Sequence, residues 1–216
     1  SLKVVPADRS IGEASPTNHT EIFNGVIGGY GGLGVITEAT MELTDNVKVK
    51  RETEVMPITS YKPYFFDHIR GQAASVFHSA NIFPGDYSTV RAVTYSKTDD
   101  RVTVADRLVP TDQSYRLNRL AFWIASEWPF GRFIQRHLVD PIYFAGEVVT
   151  WRNYEASRDV AELEPASRVT STYLLQEYFV PVERFDEFVP QMRRVLQTHD
   201  VNVVNVSIRH STQDPG

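Results

Sequence analysis

Apolar positions recur along this chain with two periods, and the elements change where the period changes. Leu2-Lys3-Val4-Val5 is a short strand-like run, followed by turn-rich sequence from Pro6 through Ser15-Pro16. Asn18-His19-Thr20-Glu21 has the spacing of a capping box, with Asn18 as N-cap and Glu21 three residues on. It predicts a short helix with Ile22, Phe23, Val26 and Ile27 on its apolar side. A run of glycines ends that helix. The stretch Val35 to Leu43 then alternates in its second half, Thr37, Ala39, Met41 and Leu43 against Glu38, Thr40 and Glu42, which predicts a half-buried strand. Thr44-Asp45-Asn46 is a turn, and Val47 to Arg51 opens another alternating run.

Beyond residue 50 the pattern mixes aromatic-rich helices with β-rich runs. Tyr61 to Arg70 predicts a helix with Tyr64, Phe65 and Ile69 inward, and Ser75–His78 and Thr89–Tyr95 read as strands. Lys97-Thr98-Asp99-Asp100-Arg101 is a polar loop. Leu117 to Leu138 has a helical pattern broken at Trp128-Pro129-Phe130-Gly131. Thr172 to Val180 predicts a strand that stops at Pro181. In Glu183–Gln197, Phe185, Phe188, Val189, Met192, Val195 and Leu196 follow helical spacing, and Val201 to Ile208 is rich in β-branched residues. This order predicts an α+β fold, with helices on one face of a mainly antiparallel sheet.

Composition narrows the function classes. A hydrophobic share of 42% and a charged share of 23% over 216 residues are those of an ordinary globular chain. A net charge of −5 gives no basic surface for nucleic acid. The absence of cysteine excludes disulfides, thiolate metal sites and a cysteine nucleophile. No membrane-spanning run and no signal-peptide layout stand out, so a cytoplasmic location is expected, with membrane-surface association as the alternative. His19, His68, His78, His137, His199 and His210 show no metal-ligand spacing, and no metal site is expected. Asp99-Asp100 and Asp214 read as solvated, and no G-x-S-x-G elbow is present. Ser1 opens directly inside a strand-like run and Asp214-Pro215-Gly216 follows an apolar one, so the sequence is expected to be an excerpt of a longer protein.

The run Gly28-Gly29-Tyr30-Gly31-Gly32-Leu33-Gly34 satisfies the letters of a dinucleotide-binding G-x-G-x-x-G from Gly29, with Glu52 and Glu54 about twenty residues on. Its context is wrong. That fingerprint needs strand, glycines, helix, so that a helix N-terminus faces the phosphates. Here a helix comes first and a strand follows. Glycines in this order let the backbone take φ > 0 and lie close to a flat ligand. Without a ligand they would be a glycine-rich helix C-cap.

The whole stretch Glu21 to Thr40, EIFNGVIGGYGGLGVITEAT, resembles the last helix, glycine turn and strand of the FAD-binding domain of PCMH-type (vanillyl-alcohol-oxidase-like) flavoproteins. Val4-Val5-Pro6-Ala7-Asp8-Arg9 is similar to the strand and turn ahead of that helix, with Arg9 where the family has glycine. The resemblance implies that Gly28, Gly29, Gly31 and Gly34 lie against FAD, and that Val35 and Ile36 meet it through their backbone. Downstream, Gln176-Glu177-Tyr178-Phe179-Val180-Pro181, the following helix and the strand ending at Arg209 resemble the cap domain of sugar-lactone and alditol oxidases, decaprenylphosphoryl-ribose oxidases and sterol-reductase relatives. That implies substrate-facing roles for Glu177 and Arg209. A carboxylate and a guanidinium at facing strand ends can hold the hydroxyls of a polyol, or pair with each other as a plain ion pair. Ser207 stands where the family has an acid before the arginine.

Taken together, residues 1–46 are expected to be the C-terminal part of a PCMH-type FAD-binding domain, and 47–216 a substrate (cap) domain. The implied activity is FAD-dependent oxidation of an alcohol carbon in a small polyol, sugar lactone or lipid-linked sugar. The catalytic lysine or histidine lies outside this chain, which alone should hold FAD weakly or not at all. The competing reading is a non-catalytic cap-like binding module with a degenerate flavin site. Leu120 to Gly131, with its aromatics, reads as a core helix or as a membrane-facing flap for a lipophilic substrate, with Arg132 and Arg136 at headgroup level.

Overall fold

The computed structural model describes residues 1–8, 10, 12–128, 130–158, 168–169 and 172–211; Arg9, Pro129 and Asp214 lie outside them. The chain divides into two units, Ser1–Asp45 and Asn46–Gly216. In the first, β1 (Leu2–Val5) is flanked by β2 (Gly12–Ala14) and, after α1 (Thr20–Val26), by β3 (Val35–Ala39), all antiparallel in the order β2-β1-β3. Val4, Ala14 and Val26 are its buried apolar side chains. The expected capping box does not form. Ser15 and Asn18 exchange backbone hydrogen bonds in a tight turn, which aims the Asn18 amide at the Glu13 carbonyl. His19, at φ 51°, takes the N-cap position with no side-chain cap bond. The strand expected to reach Leu43 ends at Ala39; Leu2 pairs with Ala39, and the Thr40 N–H donates to the Ser1 carbonyl.

The second unit is an α+β layer built on an antiparallel sheet. Its elements are β4 (Lys48–Pro57), α2 (Ile58–Tyr64) running into a π-helical turn (Phe65–Ile69), β5 (Ser75–Ile82) and β6 (Thr89–Lys97). Then come α3 (Arg116–Glu127), α4 (Gly131–Ile134), a second π-helical turn (Gln135–Val139), α5 (Asp140–Phe144), β7 (Val149–Trp151), α6 (Arg152–Ala156), α7 (Phe185–Thr198) and β8 (Val206–Ile208). The strands lie in the order β7-β4-β6-β5-β8. A nine-pair ladder joins β4 to β6, from Val49–Lys97 to Pro57–Thr89.

Register assigns the faces. Met56, Val90, Ile82 and Val206 form one row across four strands, and Ala92, Ala80 and Ile208 the next. Tyr61, Phe65 and Ile69 of the α2 segment and Val189 of α7 cover these rows and complete the core, with Phe185, Phe188, Met192 and Leu196 packed at its margin. The alanines let large rings approach the sheet. Each fully buried side chain of this size contributes about 1.5–3 kcal/mol. Helices α2 and α7 thus cover the apolar face, but the expectation of helices on one face alone does not hold. On the opposite face, α5 reaches the sheet through the Asp140–Arg91 ion pair.

Two expected strands shrink. Thr172–Val180 joins no ladder and leaves Leu174 and Phe179 85% and 90% exposed. Only Val206–Ile208 of the Val201–Ile208 run pairs, with β5. The aromatic helix does break near Trp128: Phe130 turns at φ 63°, and Gly131 sits where any side chain would strike the Ile124 carbonyl. Phe65→Ala is expected to lower stability by about 3–5 kcal/mol in chemical denaturation, and Leu174→Ala to change it by under about 0.5 kcal/mol.

Candidate functional site

Two features carry the chemistry of this chain, one in each unit. In the first unit, α1 ends at Ile27 and the backbone then enters positive φ at Gly28 (71°), Tyr30 (50°), Gly31 (79°) and Gly34 (154°). Gly32 N–H donates to the Gly29 carbonyl at 2.9 Å, closing the turn. A Cβ on Gly34 would meet Val4 Cγ1 at 2.8 Å and the Val5 carbonyl at 2.9 Å, and one on Gly29 would strike the Gly25 carbonyl. Gly28 and Gly31 face open space. Packing against β1 therefore requires Gly34, and the outer glycines keep the turn bare.

β3 follows directly. It is the edge strand of its sheet, paired with β1 alone, and all five of its residues are exposed, Val35 at 63%. The turn and the first residues of β3 present uncovered backbone along one continuous edge. Gly28, Gly29, Gly31, Gly34, Val35 and Ile36 form this candidate cradle. It offers backbone amides and carbonyls but no charged group.

In the second unit the sheet face turned away from the apolar core is polar. The register sets Val55, Arg91, Asn81 and Ser207 in one row, Thr53, Val93 and Ser79 in the next, and Arg51, Tyr95 and Phe77 beyond it. Arg91 is a charged residue between the apolar Val90 and Ala92 of β6. Its guanidinium lies 4.1 Å from the Phe144 ring centre and 5.1 Å from that of Phe83, and it pairs with Asp140 at 2.8 Å. Arg51 also lies 5.2 Å from the Phe144 ring centre, and Arg136 lies 4.8 Å from that of Phe83. Three guanidiniums thus alternate with two aromatic rings, an arrangement in which each cation meets a ring rather than another cation. Asp140 and Asp86 supply the countercharge.

The same face holds a second polar knot. Arg158 pairs with Glu155 and donates to the Tyr143 hydroxyl, while Glu155 Oε2 is buried with no hydrogen-bond partner among the described residues. Burial pushes the Tyr95 hydroxyl well above its ordinary range, and the Glu155 charge adds to that. On the apolar face His78 hydrogen-bonds the Tyr61 hydroxyl and Thr94 Oγ1, at 3.1 and 2.9 Å. Burial holds its imidazole below the ordinary histidine value. This chain ties α2 to the sheet. A groove of about 420 Å³ between α2 and α7 is apolar and lacks the convergent polar groups of a ligand site.

The residues expected to face substrate fall as follows. Arg209 directly follows β8, and alternation from Ser207 puts it on the polar side of the sheet; His210 turns the other way, onto the rings of Phe65 and Phe66. Glu177 lies on the exposed, unladdered segment ahead of α7. No ion pair or hydrogen bond joins Glu177 to Arg209, and both are exposed. Arg91 and Asp140 escaped the sequence reading, since they stand 49 residues apart; the one signal was a cation within the apolar run Thr89–Tyr95. Glu52 accepts a hydrogen bond from Ser96 on the sheet, an ordinary strand residue. No cluster of metal-ligating side chains occurs among the described residues. The polar face can therefore bind and orient hydroxyl or anionic groups.

Comparison with protein-family models finds no match, and comparison with curated proteins finds none.

Gly34→Ala is expected to destabilise the first unit by several kcal/mol, whereas Gly28→Ala, with open space around it, costs about 1 kcal/mol for its positive φ alone. Hydrogen exchange over residues 1–45 would show the contrast. Breaking the buried pair with Asp140→Asn should cost about 3 kcal/mol, and adding Arg91→Met should recover part of that loss in a double-mutant cycle.

Proposed function

We propose that this chain belongs to an FAD-dependent oxidoreductase of the PCMH type, which oxidises an alcohol carbon of a polyol, sugar lactone or lipid-linked sugar. The observation that carries the reading is the bare glycine turn running into an exposed edge strand, in a stretch whose residues resemble the flavin-flanking segment of that family. The cradle fits the cofactor in kind. Positive-φ glycines leave room for a flat ring system, and the open edge of β3 offers N–H and C=O groups to its polar rim. FAD, when bound, accepts the hydride leaving the alcohol carbon.

The chain's own residues bind and orient in this scheme. Gly28, Gly29, Gly31 and Gly34 keep side chains away from the ring, and Val35 and Ile36 meet it with backbone. Arg209, Ser207, Ser79 and Asn81 supply donors and acceptors for substrate hydroxyls, and Glu177 adds a carboxylate from its exposed segment. Orientation of the reacting carbon, rather than proton transfer, is the contribution made here.

The visible spectrum of the full-length gene product tests the reading. It should be yellow, with the absorption bands of an oxidised flavin that bleach on addition of a polyol or lactone substrate. Gly31→Ala should lower flavin retention while costing only about 1 kcal/mol of stability for its positive φ, since nothing lies within 4 Å of the added Cβ. A colourless product that takes up no added FAD would overturn the proposal and leave a binding module.

A further inference from the structure

The α3–α4 region gathers exposed apolar and aromatic side chains next to arginines. Along α3 the outward arc carries Leu117, Leu120 and Trp123, and the inward arc carries Ala121, Phe122 and Ala125. The turn that follows leaves Trp128 and Phe130 exposed, the latter at 83%, and α4 adds Phe133. The Trp123 and Trp128 rings lie 6.4 Å apart, so the helix and the turn share one aromatic patch. Isolated exposed apolar side chains are ordinary; a contiguous group of tryptophan, phenylalanine and leucine marks an interaction surface.

Charge identifies the partner. Residues 115–139 hold four arginines, Arg116, Arg119, Arg132 and Arg136, against one acid, Glu127, in a chain whose net charge is −5. Arg116 and Arg119 are exposed on the same arc of α3 as Leu120 and Trp123, and Arg132 is exposed on α4, where it also donates to Asn202. Arg136 faces inward, to Asp86 and Thr89. Aromatic and leucine side chains interleaved with arginine suit a surface that is apolar a few ångströms below an anionic layer. No helix among the described residues is long and apolar enough to cross a membrane, so the region can lie on a bilayer and does not span it.

We propose that the α3–α4 region docks the protein onto an anionic lipid surface, seating Leu120, Trp123, Trp128, Phe130 and Phe133 at the headgroup–acyl boundary with Arg116 and Arg132 against lipid phosphates. The Arg91–Asp140 pair and the rings of Phe83 and Phe144 tie the following helix α5 to the sheet, so the docking surface is anchored to a rigid layer. The inference is independent of the flavin reading: a colourless protein that binds vesicles would sink that reading and support this one.

Flotation of the full chain with phosphatidylcholine vesicles, with and without phosphatidylglycerol, tests it. Binding should require the anionic lipid, weaken steeply with salt, and shift tryptophan fluorescence to the blue. Arg116→Gln with Arg132→Gln should reduce partition roughly 30-fold, from about 1 kcal/mol per arginine at the surface. Trp123→Asp with Phe133→Asp should abolish binding while circular dichroism stays unchanged; if that variant fails to fold, the arginine pair decides. Wild-type protein that stays unbound on anionic vesicles at low salt overturns the proposal. So does self-association without vesicle uptake, or binding insensitive to either double variant.

Discussion

The nine-pair ladder between β4 and β6 sets the faces of the second unit, and most other contacts inherit that choice. Because side chains alternate along a strand, a shift of one residue would exchange Met56, Val90 and Ala92 with Val55, Arg91 and Val93. The apolar face would lose the surface that Tyr61, Phe65 and Val189 cover, and Arg91 would be driven into that core without Asp140. Burial of one row thus excludes the neighbouring registers. β5 and β8 extend the same assignment, which is how Ser207 and Arg209 come to the polar side while Ile208 and His210 meet the helices.

A charged face under a layer of helices needs its own means of cohesion. Here the Gln135–Val139 turn and α5 are held to the sheet by the Arg91–Asp140 pair and by Phe83 and Phe144 between three guanidiniums. Such a contact is directional, and its charges keep part of their hydrogen-bonding capacity, unlike the close-packed core opposite. The two sides of one sheet therefore divide the work: one resists unfolding, the other offers polar groups. The outward side of the helices is again apolar and aromatic, a third environment within a few residues of the second.

The glycine turn shows why context outranks a motif. Its letters fit a dinucleotide fingerprint, but the helix precedes it, so no helix N-terminus faces the turn. The backbone explains each glycine differently. Gly34 is required by contact with Val4 and the Val5 carbonyl, while Gly28 and Gly31 are bare positions at positive φ. A turn of this kind followed by a strand open along one edge is the feature on which the flavin proposal rests.

Local pattern was enough for the α+β class with an antiparallel sheet, the spacing of α7, the break near Trp128, and the helix–glycine–strand order, because each depends on the side-chain period and on backbone preferences within a few residues. It misjudged Asn18, whose side chain the Ser15–Asn18 turn diverts from the helix, and Thr172–Val180, whose β-rich composition found no ladder partner. Strand length also lay outside its reach: β3 ends at Ala39, and β8 pairs over three residues. The candidate site divides in the same way. Its glycines and the first residues of β3 are adjacent in sequence and could be read there. Arg91 and Asp140, 49 residues apart, became partners only when β6 received its register and α5 was laid across the polar face, and the same folding left Glu177 and Arg209 apart. Contacts over such separations depend on which strand edge and which face remain open, and tertiary structure alone decides that.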